Sequence, residues 1–273
     1  MKGKMKFGNG LLPINRFEQF KIILKEHFFD VLICSIYTFL FFIPTLLWSL
    51  FSSSFALFQE QSIFNILVIY VGFILTIVIQ GLGYAGGFYY FKRLIHNEGS
   101  NVHIDFFKGI QKNGKSFAFI FMLIGFGYFL LHLVSESLLI LDSLPINPAI
   151  FIGVEYAILF IILTVILFVM TQAIFYTGTW RQFFKNGFKF MIGTIFKTLG
   201  VSIMFLLPFI LFEFIGNFTL TLIILIGCLV FYFGISELVV LIYMVDIYDK
   251  TINKKQFPEI YRKGIQKDEA MDI

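Results

Sequence analysis

The basic residues of this chain fall into four clusters, and the long stretches between the clusters contain no Lys or Arg. The clusters span Lys2–Lys25, Lys92–Lys115, Arg181–Lys197 and Lys250–Lys267. The stretches between them are rich in Phe, Leu, Ile and Val. In membrane proteins, Lys and Arg are retained in cytoplasmic loops and are scarce in short translocated loops. Each stretch is long enough for two spanning helices and a turn, so the pattern predicts three helical hairpins that enter from the cytoplasm.

The composition agrees with a membrane protein and excludes a soluble domain. Hydrophobic residues make up 58% of the 273-residue chain and charged residues only 14%, whereas soluble domains are about 25% charged. The net charge of +4 does not indicate nucleic-acid binding, because the basic residues flank apolar segments. We expect them to contact the anionic inner leaflet of the lipid bilayer.

The predicted fold class is all-α: a polytopic membrane protein with six transmembrane helices in three hairpins and short amphipathic cytoplasmic helices. The spans are expected at residues 31–51, 64–91, 117–141, 149–176, 198–215 and 220–247, since each run is about the ~20 residues that cross a bilayer. The chain then divides into a cytoplasmic N-terminal segment (1–27), a six-helix transmembrane domain (28–248) and a cytoplasmic C-terminal tail (249–273). Both termini are expected in the cytoplasm.

The cytoplasmic segments combine Lys with apolar residues at helical spacing. After a turn signal at residues 97–101, apolar residues at 102, 106, 107 and 110 share one helix face. This pattern predicts a short helix in the membrane interface, apart from the span at 117–141. The lysines expected to contact the inner leaflet are Lys108, Lys112, Lys185 and Lys189. The tetrad Gly-Ile-Gln-Lys at 109–112 and 264–267 is compatible with either an internal repeat or a chance recurrence.

Ionisable residues inside the spans are candidates for a functional site, because burying a charge in a membrane is costly. His132 and Glu136 are four residues apart on one helix face, and Glu155 is expected at a similar depth on the next helix. Together with Glu213, these residues are interpreted either as lining an outward-facing cavity for a cation or proton, or as interfacial and structural groups.

Glu237 lies well inside the sixth span, where it needs either a partner or a neutral state. Gln80 and Gln172 are the candidate partners. The residue is interpreted as part of a polar site or as a buried structural hydrogen bond.

A run of small residues in the second span predicts close helix packing. Gly83 and Gly87 are four residues apart, as in small-residue helix interfaces. A flexible gating point is the alternative. The run is not a phosphate loop, since it lacks the Lys-Ser/Thr pair and a preceding strand.

Motifs for catalysis are missing from the sequence. It has no zinc-protease motif, no nucleophile elbow, no metal-ligand spacing and no ATP-binding loop. Cys34 and Cys228 lie within apolar spans and do not form a disulfide framework. We therefore expect no catalytic residues, no metal site, no cofactor and no enzyme activity.

Several short motifs resemble the YesL-like family of bacterial integral membrane proteins of unknown function. They are Phe88-Tyr89-Tyr90-Phe91-Lys92-Arg93-Leu94, Asn97-Glu98-Gly99, Asp105-Phe106-Phe107-Lys108-Gly109 and Tyr248-Asp249-Lys250. The segment Phe183-Phe184-Lys185-Asn186 fits loosely, and the order Glu98-Gly99 departs from the family pattern. The resemblance implies a multi-pass protein of the bacterial plasma membrane. It also implies an association with carbohydrate uptake systems.

The sequence therefore favours an accessory or regulatory membrane protein that acts through partners, such as a membrane transporter for carbohydrates. The alternative is a small secondary transporter or channel that uses its intramembrane carboxylates. The alternative requires a water-accessible cavity that reaches the membrane midplane. No feature of the sequence indicates a substrate or an oligomeric state.

Overall fold

The computed structural model describes residues 12–58, 63–140, 148–214, 223–224 and 226–266. Over these residues the protein is helical and contains no strand. The helices are α1 (Arg16–Glu26), α2 (Phe28–Phe58), α3 (Ile63–Ile95), α4 (Val102–Ile140), α5 (Pro148–Phe175), α6 (Trp180–Phe214) and α7 (Phe233–Tyr248). Five-residue π-helical turns precede and follow α7, at Cys228–Tyr232 and Asp249–Asn253, and a last helical turn covers Lys254–Gln256.

Six stretches of these helices are long and apolar enough to cross a membrane. They are Phe28–Ser52, Leu67–Ile95, Val102–Leu130, Ala157–Phe175, Trp180–Phe205 and Val230–Gln256. Each predicted span overlaps one of them, so the predicted all-α, six-helix membrane architecture is confirmed. Large apolar side chains on the outer faces, such as Leu47 and Leu75, are about 60% exposed. Such side chains suit a protein surrounded by hydrocarbon.

Helix α7 is the central element of the bundle. It contacts α1, α2, α3, α5 and α6. Of its span, 61% is buried, compared with 22% for the span of α6. Most of α7 is therefore enclosed by protein, and Glu237 on this helix is fully buried.

Helix α4 is one continuous helix, so the predicted separate interfacial helix at 102–112 is wrong. Its 39 residues extend about 58 Å, roughly twice the ~30 Å of a hydrocarbon core. Gly109 and Gly114 do not interrupt it, because both pack against α3: a Cβ at Gly109 would lie 2.7 Å from Ala85 O. Val102 and Phe106 are buried in the protein core, whereas Phe107, predicted on the same face, is 50% exposed.

Helix α6 is bent at Thr194, where the backbone leaves the helical region (φ −134°, ψ 21°). The Thr194 hydroxyl donates to Phe190 O at 2.7 Å, a side-chain bond that bends helices. Two contacts show the bend. A Cβ at Gly187 would lie 3.2 Å from Val165 O, and Ser202 is hydrogen-bonded to Thr164 at 3.0 Å. In a straight helix, residues 187 and 202 would be about 22 Å apart, yet both contact adjacent residues of α5.

Four segments meet at one end of the bundle: the N-terminal segment, the α3–α4 connection, the α5–α6 connection and the segment after α7. Gln19 donates to Ile95 O at 2.7 Å, and Tyr176 donates to Asn253 Oδ1 at 2.6 Å. The lysine-rich segments lie here, and we call it the basic end. It corresponds to the predicted location of the inner segments.

The two Gly-Ile-Gln-Lys tetrads have different backbone conformations where the structure describes them. Gly109 is inside α4, whereas Gly264 has a φ of +87° in the segment after α7. Because the two tetrads do not share a conformation, the structure gives no support to an internal repeat at these positions.

Candidate functional site

Glu237 is fully buried where α7 meets α2 and α3. Its Oε1 accepts a hydrogen bond from Thr38 Oγ1 at 2.9 Å, and its Oε2 lies 3.9 Å from Cys34 Sγ. A Cβ at Gly87 would overlap Oε2. The carboxyl group is therefore enclosed between a hydroxyl, a thiol and the backbone of α3.

The predicted partners of Glu237 were wrong. Gln80 is paired with Thr45 at 3.5 Å, further along the α2–α3 interface. Gln172 donates to Phe168 O at 3.0 Å and to Phe183 O at 3.2 Å, so it joins α5 to α6. Sequence reasoning missed Thr38 because a threonine in an apolar helix gives no sign of which buried group it faces.

Gly83 and Gly87 both lie where α3 closely approaches other elements. A Cβ at Gly83 would lie 2.8 Å from Phe41 Cβ and 3.2 Å from Thr38 O on α2. Gly87 makes room for the Glu237 carboxylate. Their surroundings favour the helix-packing interpretation of the small-residue run.

The side chains of the other members of the predicted intramembrane site are not among those that the structure describes. The backbone of His132 and Glu136 belongs to α4, and that of Glu155 belongs to α5. The prediction that they line a cavity stays a prediction. Among the described residues there is no cluster of His, Cys, Asp and Glu that could hold a metal ion.

The most extensive polar arrangement in the described part of the chain is at the basic end. Three segments interlock there: residues 12–19, residues 93–105 in and around the α3–α4 connection, and residues 249–266. We call this arrangement the terminal clasp. Gln266 N donates to Pro13 O at 2.9 Å, and Arg262 Nη2 donates to Ile14 O at 2.9 Å. The N-terminal segment and the segment after α7 therefore form one packed unit.

Asp249 is the centre of the terminal clasp. It forms a buried ion pair with Arg16, at 2.6 Å between Oδ2 and Nη2. Its Oδ1 accepts from Asn253 Nδ2 at 2.8 Å and from Arg262 N at 3.2 Å. Burial lowers the pKa of Arg16, and the Asp249 charge opposes that shift. A buried charge pair needs further hydrogen bonds to offset desolvation, and these contacts supply them.

The α3–α4 connection contributes a second set of charges. Arg93 pairs with Asp105, which also accepts from Asn101 N at 2.9 Å. Glu98 accepts from Lys263 Nζ at 2.6 Å, a contact that ties the connection to the segment after α7. His96 lies 3.8 Å from Glu98. Interactions with His96 and Lys263 lower the pKa of the Glu98 carboxyl to about 2.

His96 is almost fully buried at the edge of the terminal clasp. Its ring packs on Phe175, with centroids 5.2 Å apart. Burial lowers the pKa of the imidazole below its ordinary value. The neutral form is therefore the one that suits the folded clasp.

The four lysines predicted to contact the inner leaflet are all exposed. Lys108 and Lys112 are on α4, and Lys185 and Lys189 are on α6. The Lys112 ammonium lies 5.4 Å from the ring centroid of Tyr89. Their exposure fits the prediction and leaves their lipid contacts untested.

Sequence reasoning missed the helix starts that position the basic end, although a signal was present. Asn15 caps α1 by accepting from Glu18 N at 2.9 Å, and Glu18 accepts from Ile14 N at 2.6 Å. Thr179 and Gln182 form a reciprocal pair at the start of α6. In both cases a capping residue is followed three positions later by Glu or Gln, and this spacing is typical of a helix N-terminus.

Comparison of the chain with models of known families, with curated proteins and with solved structures gave no match. The class of the protein therefore follows from its own fold. Six long apolar stretches of the described helices, one of which contains the buried α7, define a multi-pass integral membrane protein.

Proposed function

We propose that the chain is an accessory or regulatory protein of the bacterial plasma membrane that acts through a partner at its basic end. The partner we propose is a membrane component of a carbohydrate uptake system, as membership of the YesL-like family would imply. Both termini would lie in the cytoplasm. The observation that carries the proposal is the terminal clasp, which fixes residues 12–19, the α3–α4 connection and residues 249–266 in one packed unit at the basic end.

The clasp supports this proposal because it uses side chains from sequence regions that resemble the family motifs. Arg93, Glu98 and Asp105 come from the α3–α4 connection, and Asp249 comes from the motif after the last span. These side chains join separate segments to one another. A rigid surface loses less conformational entropy on binding than a flexible one.

The alternative, a small secondary transporter or channel, requires water to reach the intramembrane carboxylates. Glu237 is enclosed by Thr38, Cys34 and Gly87 in the described conformation. Its surroundings therefore give the alternative no support.

Co-purification tests the proposed partner. Tagged wild-type chain would be extracted in a mild detergent from bacteria grown on several carbohydrates, and bound proteins would be quantified by mass spectrometry. We expect a membrane component of a carbohydrate uptake system to be enriched. Arg16→Ala, which opens the clasp, should reduce that enrichment.

The matched control is Gly127→Ala on α4, at a glycine with open space around it. It should retain the partner. If no uptake component is enriched under any growth condition, the proposed function is wrong. If Arg16→Ala retains the partner as well as Gly127→Ala does, the assignment of the interaction to the clasp is wrong.

The proposed orientation has a separate test. Lys255→Cys, at an exposed residue after α7, would be made in a chain with Cys34→Ser and Cys228→Ser. An impermeant thiol reagent should label this cysteine only after the cells are opened. Labelling of intact cells would place the terminal clasp on the outside.

A further inference from the structure

The first arm of α6, residues 180–193, carries an exposed stripe that differs from the rest of the basic end. Arg181, Lys185 and Lys189 follow one another at intervals of four residues, so they share one face of the helix. All three are exposed. The opposite face of the arm packs on α5, where Gly187 approaches Val165 O.

The charge of this stripe is entirely positive. Between Glu155 and Glu213 the chain has no acidic residue. No ion pair joins the three cations to another residue within the described ranges. By contrast, Arg16, Arg93 and Lys263 in the terminal clasp are each paired with a carboxylate.

An exposed apolar row lies beside the cationic one, also at intervals of four residues along α6. Phe188 is 52% exposed, Ile192 58% and Phe196 91%. The two rows lie side by side, and the exposed Lys197 follows Phe196 just beyond the bend at Thr194. A phospholipid has groups that match both rows, with an anionic headgroup joined to apolar chains.

We propose that this stripe is a binding site for an anionic phospholipid. Arg181, Lys185 and Lys189 contact the phosphate and headgroup, and Phe188, Ile192 and Phe196 contact the acyl chains. An amphipathic helix with basic and aromatic residues lies in the interface in this way. Because the opposite face of the arm packs on α5, both rows face away from the bundle, where lipid can reach them. The inference does not depend on the proposed partner.

Trp180 at the start of the stripe provides a local probe. The chain has two tryptophans, so Trp48→Phe leaves Trp180 alone. This variant would be reconstituted into vesicles of phosphatidylcholine and phosphatidylglycerol, with bromine on the acyl chains of one lipid at a time. We expect brominated phosphatidylglycerol to quench Trp180 more strongly than brominated phosphatidylcholine at the same mole fraction.

Neutralising the stripe should remove that preference. Each cation replaced, as in Lys185→Gln and Lys189→Gln, should lower the preference for the anionic lipid by up to roughly fivefold. The matched control is Lys21→Gln with Lys25→Gln, two exposed lysines four residues apart on α1, which should retain the preference. Native mass spectrometry of the chain with both tryptophans, in the same two lipids, repeats the comparison without Trp48→Phe.

Equal quenching by both lipids would overturn the proposal, and so would an equal loss of preference in the stripe and control variants. Equal binding of both lipids together with a two-chain mass would assign the face to self-association instead. A loss confined to the stripe variants, seen by both methods, would support the lipid site.

Discussion

Arg16 and Asp249 are 233 positions apart in the chain, yet their side chains form a buried ion pair at 2.6 Å. The pair joins the first described helix to the end of the last span. Because Asp249 also binds Asn253 and Arg262, this contact organises the segment that follows. The Arg16–Asp249 pair therefore links the N-terminal segment of the terminal clasp to the segment after α7.

Arg16→Ala should destabilise the protein by about 3–5 kcal/mol, because it leaves the Asp249 carboxylate buried without its cation. Thermal unfolding in detergent would measure the loss. The exposed Lys25→Ala, on the same helix, should change stability by no more than about 0.5 kcal/mol. Similar unfolding temperatures for the two variants would contradict the central role of the ion pair.

Gly87→Ala should destabilise the seam between α3 and α7 by about 1–3 kcal/mol, because the added methyl group overlaps the Glu237 carboxylate. Gly127→Ala is the control, since nothing lies within 4 Å of a Cβ there. It should be neutral or stabilising by up to about 1 kcal/mol.

A double variant tests whether the Gly87 effect acts through Glu237. Glu237→Ala removes the overlapping carboxylate, so Gly87→Ala should cost less in that background than in the wild type. Additive losses would show that the overlap is relieved elsewhere.

Cys34 should resist labelling by a water-soluble thiol reagent, because it is fully buried beside Glu237. In a chain with Cys228→Ser, Cys34 should remain unmodified during the time that fully labels an added Lys21→Cys. Exposed thiolates react, whereas buried thiols do not. Rapid labelling of Cys34 in the folded protein would show that water reaches Glu237. That result would support the transporter alternative.

Stability should fall in acid over two pH ranges. Burial lowers the pKa of His96, so the unfolded chain binds a proton more readily and stability falls as pH drops below about 6.5. The pKa of Glu98 is lowered to about 2. Its stabilising contribution is complete above about 4.5 and is lost as pH falls from there towards 2.

Two single variants should show which residue controls each pH range. His96→Gln should flatten the upper range, and Glu98→Gln should flatten the lower one, in unfolding temperatures measured against pH. Gln111→Ala, which changes no titratable group, should follow the wild-type profile. A wild-type profile for His96→Gln would show that this imidazole does not control the upper range.

Much of the architecture was predictable because it follows from where charge is absent. The gaps in Lys and Arg predicted six spans, and each overlaps one of six apolar stretches in the described helices, although Val102–Leu130 and Trp180–Phe205 extend into basic clusters. The continuity of α4 was not predictable from the pattern alone. It depends on Gly109 and Gly114 packing against α3, which supports glycines that would otherwise weaken a helix.

The candidate site was predictable only in part. The position of Glu237 marked it as a buried polar residue, but its partner Thr38 depends on how α2 and α7 are rotated against each other. The ion pair of Arg16 with Asp249 gave no sequence signal, because no periodicity links residues so far apart. The helix caps at Asn15 and Thr179 were readable from short-range spacing and were missed.

The terminal clasp also has a consequence for how the protein is made. Ribosomes synthesise Arg16 before the first of the six apolar stretches, whereas Asp249 lies near the end of the sixth. Arg16 therefore has no ion-pair partner until α7 has entered the membrane and Asp249 has emerged. Closure of the clasp thus has to wait for α7, and a chain truncated before Asp249 would leave Arg16 without this carboxylate.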